Sequence, residues 1–273
     1  MPELPEVETV ANGVDARVRG QRIDSVWLSR YKEPFKTSRS EMAEALPGLR
    51  IERVYREGKH IVFDLSGTEG GAVQWVVHLG MTGRLLVSAA ELPLAKHTHA
   101  ALGLSSGQEL RFVDARRFGR LALVRVENGA GFRGPGHEPL SIAPEDFVAL
   151  FRGRTLTIKA ALLNQTLLHG VGNIYADESL FRAGIRPTRA AGRLSRARLV
   201  RLHGALQEIL RKAIELGGSS VSDYVDADGV AGFFQLEHRV YMRTGEPCLV
   251  CGRPIHRIVL AGRGTHFCLH CQR

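Results

Sequence analysis

Four cysteines constrain the end of this chain more tightly than any other feature. Cys248-x-x-Cys251 and Cys268-x-x-Cys271 are separated by sixteen residues, and all four cysteines lie within the last 26 positions. Each pair suits a tight turn, and two such pairs can place four thiolates tetrahedrally around one ion. The spacing predicts one structural Zn2+, because four sulfur ligands close the shell and leave no position for water. The residues between the pairs are expected to form a hairpin, and metal binding of about 10–16 kcal/mol is enough to fold so short a tail. A set of unrelated reduced thiols and an iron–sulfur or redox site are the alternatives. A disulfide framework is disfavoured, because the cysteines are not spread through a small domain. The N-terminal MPELPEVETV is acidic where an export signal would be basic. Inside the hairpin, Arg263 stands between Gly262 and Gly264, with Thr265 and His266 following. An arginine tip there suits entry into a nucleic-acid groove, with a solvated surface arginine as the alternative.

Charge points to the same class of partner. The chain of 273 residues carries 37 basic and 28 acidic side chains, a net charge of +9. Residues 1–130 hold 18 basic against 16 acidic groups, and residues 131–273 hold 19 against 12. Of the 37 cations 31 are arginine, whose planar fork matches phosphate better than the point charge of lysine. A polyanion is therefore favoured as partner. Apolar residues make up 44%, which excludes wholesale disorder, and no apolar run approaches the roughly 18 residues of a membrane helix. No membrane association is expected.

The pattern divides the chain in two. Pro5, the stripe Val7, Val10, Val14 and Val18, and the terminating Gly20 predict a first helix. Short strands follow at Arg22–Ser29, His60–Leu65, Val73–Leu79, Arg84–Ser88, His99–Leu104, Glu109–Val113 and Arg120–Val126, with a helix over Ser40–Leu46. Many short strands after one helix predict a sandwich or barrel. Asn128–Pro139 is rich in Gly and Pro and reads as a linker, with Pro144 opening the next helix. Ser195 reads as an N-cap before the stripe Leu199, Leu202, Leu206, Ile209 and Ala213, closed by Gly217-Gly218. The Gly- and Asp-rich Gly217–Phe234 reads as a mobile loop.

Two further stretches could carry chemistry. In Ile158–Phe181, two apolar helical segments flank His169-Gly170-Val171-Gly172-Asn173, with Asn173 as expected N-cap of the second. Free N–H groups at that helix start suit phosphate, while plain helical packing explains the same pattern. At the N-terminus, loss of Met1 would leave Pro2 with a secondary amine whose reference pKa is about 7.7–8.0. Such an amine can attack an aldehyde carbon, and the resulting iminium is a permanent electron sink. Glu3 beside it could act as general acid. Taken alone, Pro-Glu at a chain start is trivial. Met81 and Phe118 occupy turn positions near Arg116, as wedge residues that enter a base stack do, although core or surface is the favoured reading of each alone.

Taken in order, MPELPEVETV, EGKH, HLGMTGRL, KHTHA, ARRFG, the Lys159–Phe181 block, DYVDADG and the four-cysteine tail resemble the formamidopyrimidine-DNA glycosylase family of bacterial repair enzymes, from Pro2 to Cys271. The resemblance implies an α+β multidomain fold. An N-terminal helix and antiparallel β-sandwich would span 1–130 and a linker 131–144. A helix–two-turn–helix domain would span 145–238, with a lesion loop at 217–234, and a four-cysteine zinc finger built on a β-hairpin would span 239–273. It implies a bifunctional glycosylase and abasic-site lyase of base excision repair that removes oxidised purines by a Pro2 Schiff base and β,δ-elimination. Pro2, Glu3, Lys59 and Arg263 would be catalytic. His78, Met81, Arg116, Phe118, Lys159, Asn173 and Tyr175 would contact DNA, with Arg116 facing the orphaned cytosine. Glu6, Ser219, Ser220 and Tyr224 would meet the lesion. Cys248, Cys251, Cys268 and Cys271 would hold one structural zinc. The implied partner is double-stranded DNA with oxidised purine or abasic sites, met by a monomer in the bacterial cytoplasm, associated with the nucleoid through DNA.

Several positions depart from the family pattern. Ala115 replaces a common Pro, Ser222 a common Arg in the loop, Thr98 a common Asp, and His266 an aromatic residue. None removes an implied catalytic group, but preference among damaged bases is open to change. An endonuclease VIII-like enzyme for oxidised pyrimidines and a non-catalytic DNA-binding protein are the competing readings.

Overall fold

The computed structural model describes residues 1–67, 71–220 and 226–273. Among these, contacts divide the chain into two compact units, Met1–Gly134 with Gly217–Gly232, and Pro135–Leu216 with Phe233–Arg273. No described helix is long and apolar enough to cross a membrane.

The first unit opens with helix α1, Leu4–Val18, which turns Val7, Val10, Val14 and Val18 inward as the sequence stripe requires. It is followed by β1 (Ile23–Leu28), α2 (Arg39–Ala45), β2 (Arg50–Glu57), β3 (His60–Ser66), β4 (Val73–His78), β5 (Arg84–Ala89), β6 (Thr98–Leu104), β7 (Gln108–Val113) and β8 (Arg120–Arg125). The strands form two four-stranded antiparallel sheets, ordered β1-β6-β7-β5 and β2-β3-β4-β8. One apolar core joins α1 to both sheets, including Ile23, Leu85, Leu102 and Phe112 from one and Ile51, Phe63, Trp75 and Leu121 from the other.

Strand β2 has no counterpart among the sequence-derived strands. Its buried residues are Ile51 and Val54, three apart, which breaks a period of two. The register shifts between Ile51 and Arg53, so the bulge returns Val54 to the core face.

The segment Gly217–Gly232 groups with the sandwich and not with the helices that flank it in sequence. Ala227 is buried in the sandwich core, its carbonyl accepts from Val87 N–H at 3.4 Å, and Asp228 pairs with Arg17 of α1. A Cβ on Gly13 of α1 would stand 3.2 Å from the Ala227 Cβ, so glycine there accommodates the docked segment.

The second unit carries α3 (Pro144–Phe151), α4 (Ile158–Leu162), α5 (Asn173–Arg182) and α6 (Arg196–Glu215), then the hairpin β9 (His256–Leu260) and β10 (Arg263–Phe267). The Ser195 side chain accepts from Arg198 N–H and caps α6 as expected. Asn173 corrects an expectation. Gly172 is the N-cap, and Asn173 is the first residue of α5.

Candidate active site and nucleic-acid contacts

In the first unit, the head of α1 organises the proposed reaction centre. Pro2, Glu3 and Glu6 are all buried. Glu6 reaches back along the first helical turn, where its Oε2 accepts from Glu3 N–H at 2.8 Å. Its Oε1 accepts from Ser219 N–H, also at 2.8 Å. One carboxylate therefore fixes both the residue after Pro2 and the start of the predicted lesion loop. Ser220 Oγ accepts from Gly232 N–H at 2.9 Å and closes the base of that segment. Tyr224 and Ser222 lie outside the described residues.

Lys59 sits with Gly58 in the two-residue turn between β2 and β3, where Gly58 has a φ of +61°. His60 and His78 are paired across β3 and β4, with ring centroids 4.9 Å apart. Burial first, then the charges of His60, Lys59 and Arg120, push the His78 pKa down to about 4. Its Nδ1 faces the Gly80 N–H at 3.1 Å, so that nitrogen is the acceptor and the neutral ring keeps its proton on Nε2.

The expected wedge residues come together on two adjacent turns. Met81 is 41% exposed, Phe118 is 48% exposed, and the Arg116 guanidinium lies 4.7 Å above the Phe118 ring. The turns approach so closely that a Cβ on Gly80 would stand 2.5 Å from Gly119 N. Gly80 also has a φ of +66°, which favours glycine. A residue that sequence reasoning missed, Asp114, holds both turns. Its Oδ1 accepts from Thr82 Oγ1 at 2.5 Å and Arg116 N at 3.2 Å, and its Oδ2 from Gly119 N at 2.7 Å. An aspartate heading a turn was the available signal.

In the second unit, Arg263 is exposed beside the turn between β9 and β10. Ala261 and Gly262 form that turn with φ of +47° and +71°, the conformation a two-residue hairpin needs. The carbonyl of Gly264, next to Arg263, accepts from Asn173 Nδ2 at 2.9 Å and Lys159 Nζ at 3.2 Å. Lys159 is wholly buried and paired with the equally buried Asp177 at 2.5 Å. The expected DNA contact of Lys159 therefore meets a side chain turned inward, whose ammonium holds the hairpin from inside. Tyr175 departs in the same way, being fully buried with its ring 5.4 Å from Phe234.

The neighbouring acids Asp177 and Glu178 fasten the tail to α5. Asp177 Oδ2 accepts from His266 N at 2.9 Å and meets His266 Nδ1 at 3.0 Å. Glu178 accepts from the backbone N–H of Arg239, Val240 and Tyr241. Burial raises its carboxyl pKa, and those three donors pull against the rise. Neither acid was singled out from the sequence, although they are the only two between Asp146 and Glu208.

The four cysteines meet the geometric demand of zinc. Their Sγ atoms all lie within 4.8 Å of one another, with Cys248–Cys271 at 3.8 Å and Cys251–Cys268 at 3.5 Å. A tetrahedron with Zn–S bonds of about 2.3 Å has edges of about 3.8 Å. Burial, then the neighbouring thiols, raise the Cys271 pKa, and a divalent cation is the charge that makes four thiolates tenable together. The set fits one structural zinc.

Three family models match successive parts of the chain. Residues 1–121 match the family model for the formamidopyrimidine-DNA glycosylase N-terminal domain, 136–225 its H2TH domain, and 245–273 a zinc finger found in FPG and IleRS. The chain is 46% identical over 273 residues to the formamidopyrimidine-DNA glycosylase of Solibacter usitatus, covering 100% of both. It superposes with a TM-score of 0.89 and 35% identity on a Lactococcus lactis FPG mutant in complex with Fapy-dG DNA, covering 100% of both chains. With MutM (FPG) from Thermus thermophilus the TM-score is 0.84 and the identity 44%, over 99% of this chain and 98% of that one. The chain belongs to the formamidopyrimidine-DNA glycosylase family.

Proposed function

We propose that this DNA glycosylase of base excision repair removes oxidised purines from duplex DNA through a covalent Pro2 intermediate and then cuts the strand. The Glu6 bridge carries this reading, because one buried carboxylate holds Glu3 and Ser219 together. The residue beside the nucleophile and the segment assigned to the lesion then share one support.

Loss of Met1 frees the Pro2 nitrogen, whose lone pair attacks C1′ as the bond from C1′ to the damaged base breaks. Glu3 delivers a proton to the sugar ring oxygen, which opens the ring and leaves an iminium between C1′ and Pro2. The iminium acidifies the neighbouring carbon, and successive eliminations release the phosphates on the two sides of the sugar. Reaching C1′ requires the nucleotide to leave the stack, which costs a few kcal/mol. Met81, Arg116 and Phe118 offset that cost by filling the vacated space. Lys59, neutral His78 through its Nε2–H, and exposed Arg263 serve the backbone near the target. Asn173 and Lys159 act through the hairpin that carries Arg263, and zinc holds that hairpin folded. A monomer in the cytoplasm accords with this reading.

The test is borohydride trapping on duplex DNA carrying 8-oxoguanine opposite cytosine. Native protein should give a covalent adduct, and protein with an uncleaved N-terminal tag should give none, since Pro2 is then an amide. A full-yield adduct with the tag excludes Pro2, and no adduct with native protein ends the enzyme reading. Faster cutting of thymine glycol than of 8-oxoguanine would move the assignment to oxidised pyrimidines.

A further inference from the structure

The wedge residues are held from below by a group that never reaches the surface. Asp114 has no exposed area, yet its two carboxylate oxygens accept three hydrogen bonds from two separate turns. Thr82 belongs to the Met81 turn, while Arg116 and Gly119 belong to the Phe118 turn. A second link runs directly between them, from Arg116 N to Thr82 Oγ1 at 3.3 Å. The backbone of the Phe118 turn needs such support. Ala115 leaves its own φ unrestrained, and Arg117 adopts a φ of +56°, a left-handed conformation that a non-glycine residue keeps only when its surroundings impose it.

We propose that Asp114 is the positioning residue of the wedge: its buried carboxylate sets the spacing and rigidity with which Met81, Arg116 and Phe118 enter the duplex, and thereby the selectivity for the base opposite the lesion. The inference rests on the reading that these three side chains fill the space of an extruded nucleotide. A wedge driven between stacked bases works only if its support does not yield, because a turn that yields returns the unstacking cost to the duplex. The carboxylate suits this task because both of its oxygens accept, whereas an amide offers one acceptor and presents an N–H to the other donor group. Asp114→Asn therefore sets an N–H against either Gly119 N–H or the Thr82 and Arg116 donors, and the two turns come apart.

The test compares Asp114→Asn, Thr82→Val and Phe118→Ala in single-turnover excision of 8-oxoguanine opposite cytosine and opposite adenine. Borohydride trapping on a single-stranded oligonucleotide with a preformed abasic site serves as the reference, because that substrate has no stack to open. Asp114→Asn should slow duplex excision by about tenfold to a hundredfold, as expected for one lost charge-assisted hydrogen bond. It should narrow the cytosine-over-adenine preference and leave single-strand trapping within about twofold. Thr82→Val removes one hydroxyl and should show the same pattern more weakly, so it decides the matter if Asp114→Asn does not fold. Duplex rates and opposite-base preference unchanged in both variants, with Phe118→Ala impaired, would overturn the positioning role alone. An unimpaired Phe118→Ala would overturn the wedge reading and the positioning role with it. Equal loss on duplex and single strand by Thr82→Val would overturn the proposal in favour of a general folding defect.

Discussion

Removing the Asp177 carboxylate is the sharpest available perturbation of the zinc-bearing unit. Asp177 and Lys159 are both at 0% exposure, so Asp177→Ala leaves a buried ammonium without its carboxylate, with the Gly264 carbonyl still 3.2 Å away. Breaking such a pair costs about 3–5 kcal/mol. The two lost contacts to His266 add roughly 1 kcal/mol, for a total of about 4–6 kcal/mol. Removing both charges in Lys159→Met with Asp177→Leu should cost less than Asp177→Ala, because no unpaired charge stays buried. The assay is urea unfolding followed two ways. Helices α3 to α6 lie in the second unit and dominate circular dichroism at 222 nm, while both tryptophans, Trp27 and Trp75, lie in the first. The dichroism midpoint should fall for Asp177→Ala and recover in the double variant, with the tryptophan transition in place throughout. A loss below about 1 kcal/mol in Asp177→Ala, or a double variant less stable than the single one, would refute the reasoning.

Three further outcomes follow from the same geometry. His78 has a folded pKa of about 4 against 6.5 for an exposed ring, so unfolding takes up a proton between those values. Its contribution to stability is present above about pH 6.5 and is lost as pH falls toward 4, by up to about 1.4 kcal/mol per pH unit. The tryptophan-detected urea midpoint should show that slope, and His78→Gln should flatten it; an NMR titration midpoint above 6 would contradict it. Chelation of zinc should make all four cysteines reactive toward a thiol reagent, including buried Cys248 and Cys268. Rapid modification of all four without chelator would end the zinc assignment. Ser195→Ala removes the cap of α6 and should cost about 1 kcal/mol in the dichroism transition, while a gain would show that the cap bond is not formed.

What could be read from the sequence was what depends on near neighbours. The α1 stripe, the α6 cap and the two cysteine pairs are local patterns with a local cause. Strand β2 escaped because a bulge resets the period within eight residues. The resemblance implies a DNA contact for Lys159, and its burial was not legible because its partner Asp177 stands 18 positions away on another helix. Asp114 and Glu178 act by gathering N–H groups of chain segments, and a carboxylate used in that way leaves no periodic trace. Met81, Arg116 and Phe118 were legible through their turns, but not the carboxylate that unites them.

The burial of Ala227 has a bearing on how the protein is made. The sandwich takes its last core residue from a point more than four-fifths of the way along the chain, after α3 to α6 have been synthesised. A ribosome that has released residues 1–134 has therefore delivered both sheets but not the side chain that seats against Gly13 of α1. The first unit to emerge is not complete until α3 to α6 have been made, and the apolar ground that Ala227 covers stays open until then. A stop codon between residues 134 and 227 would then damage the N-terminal sandwich, although every one of its strands would be present.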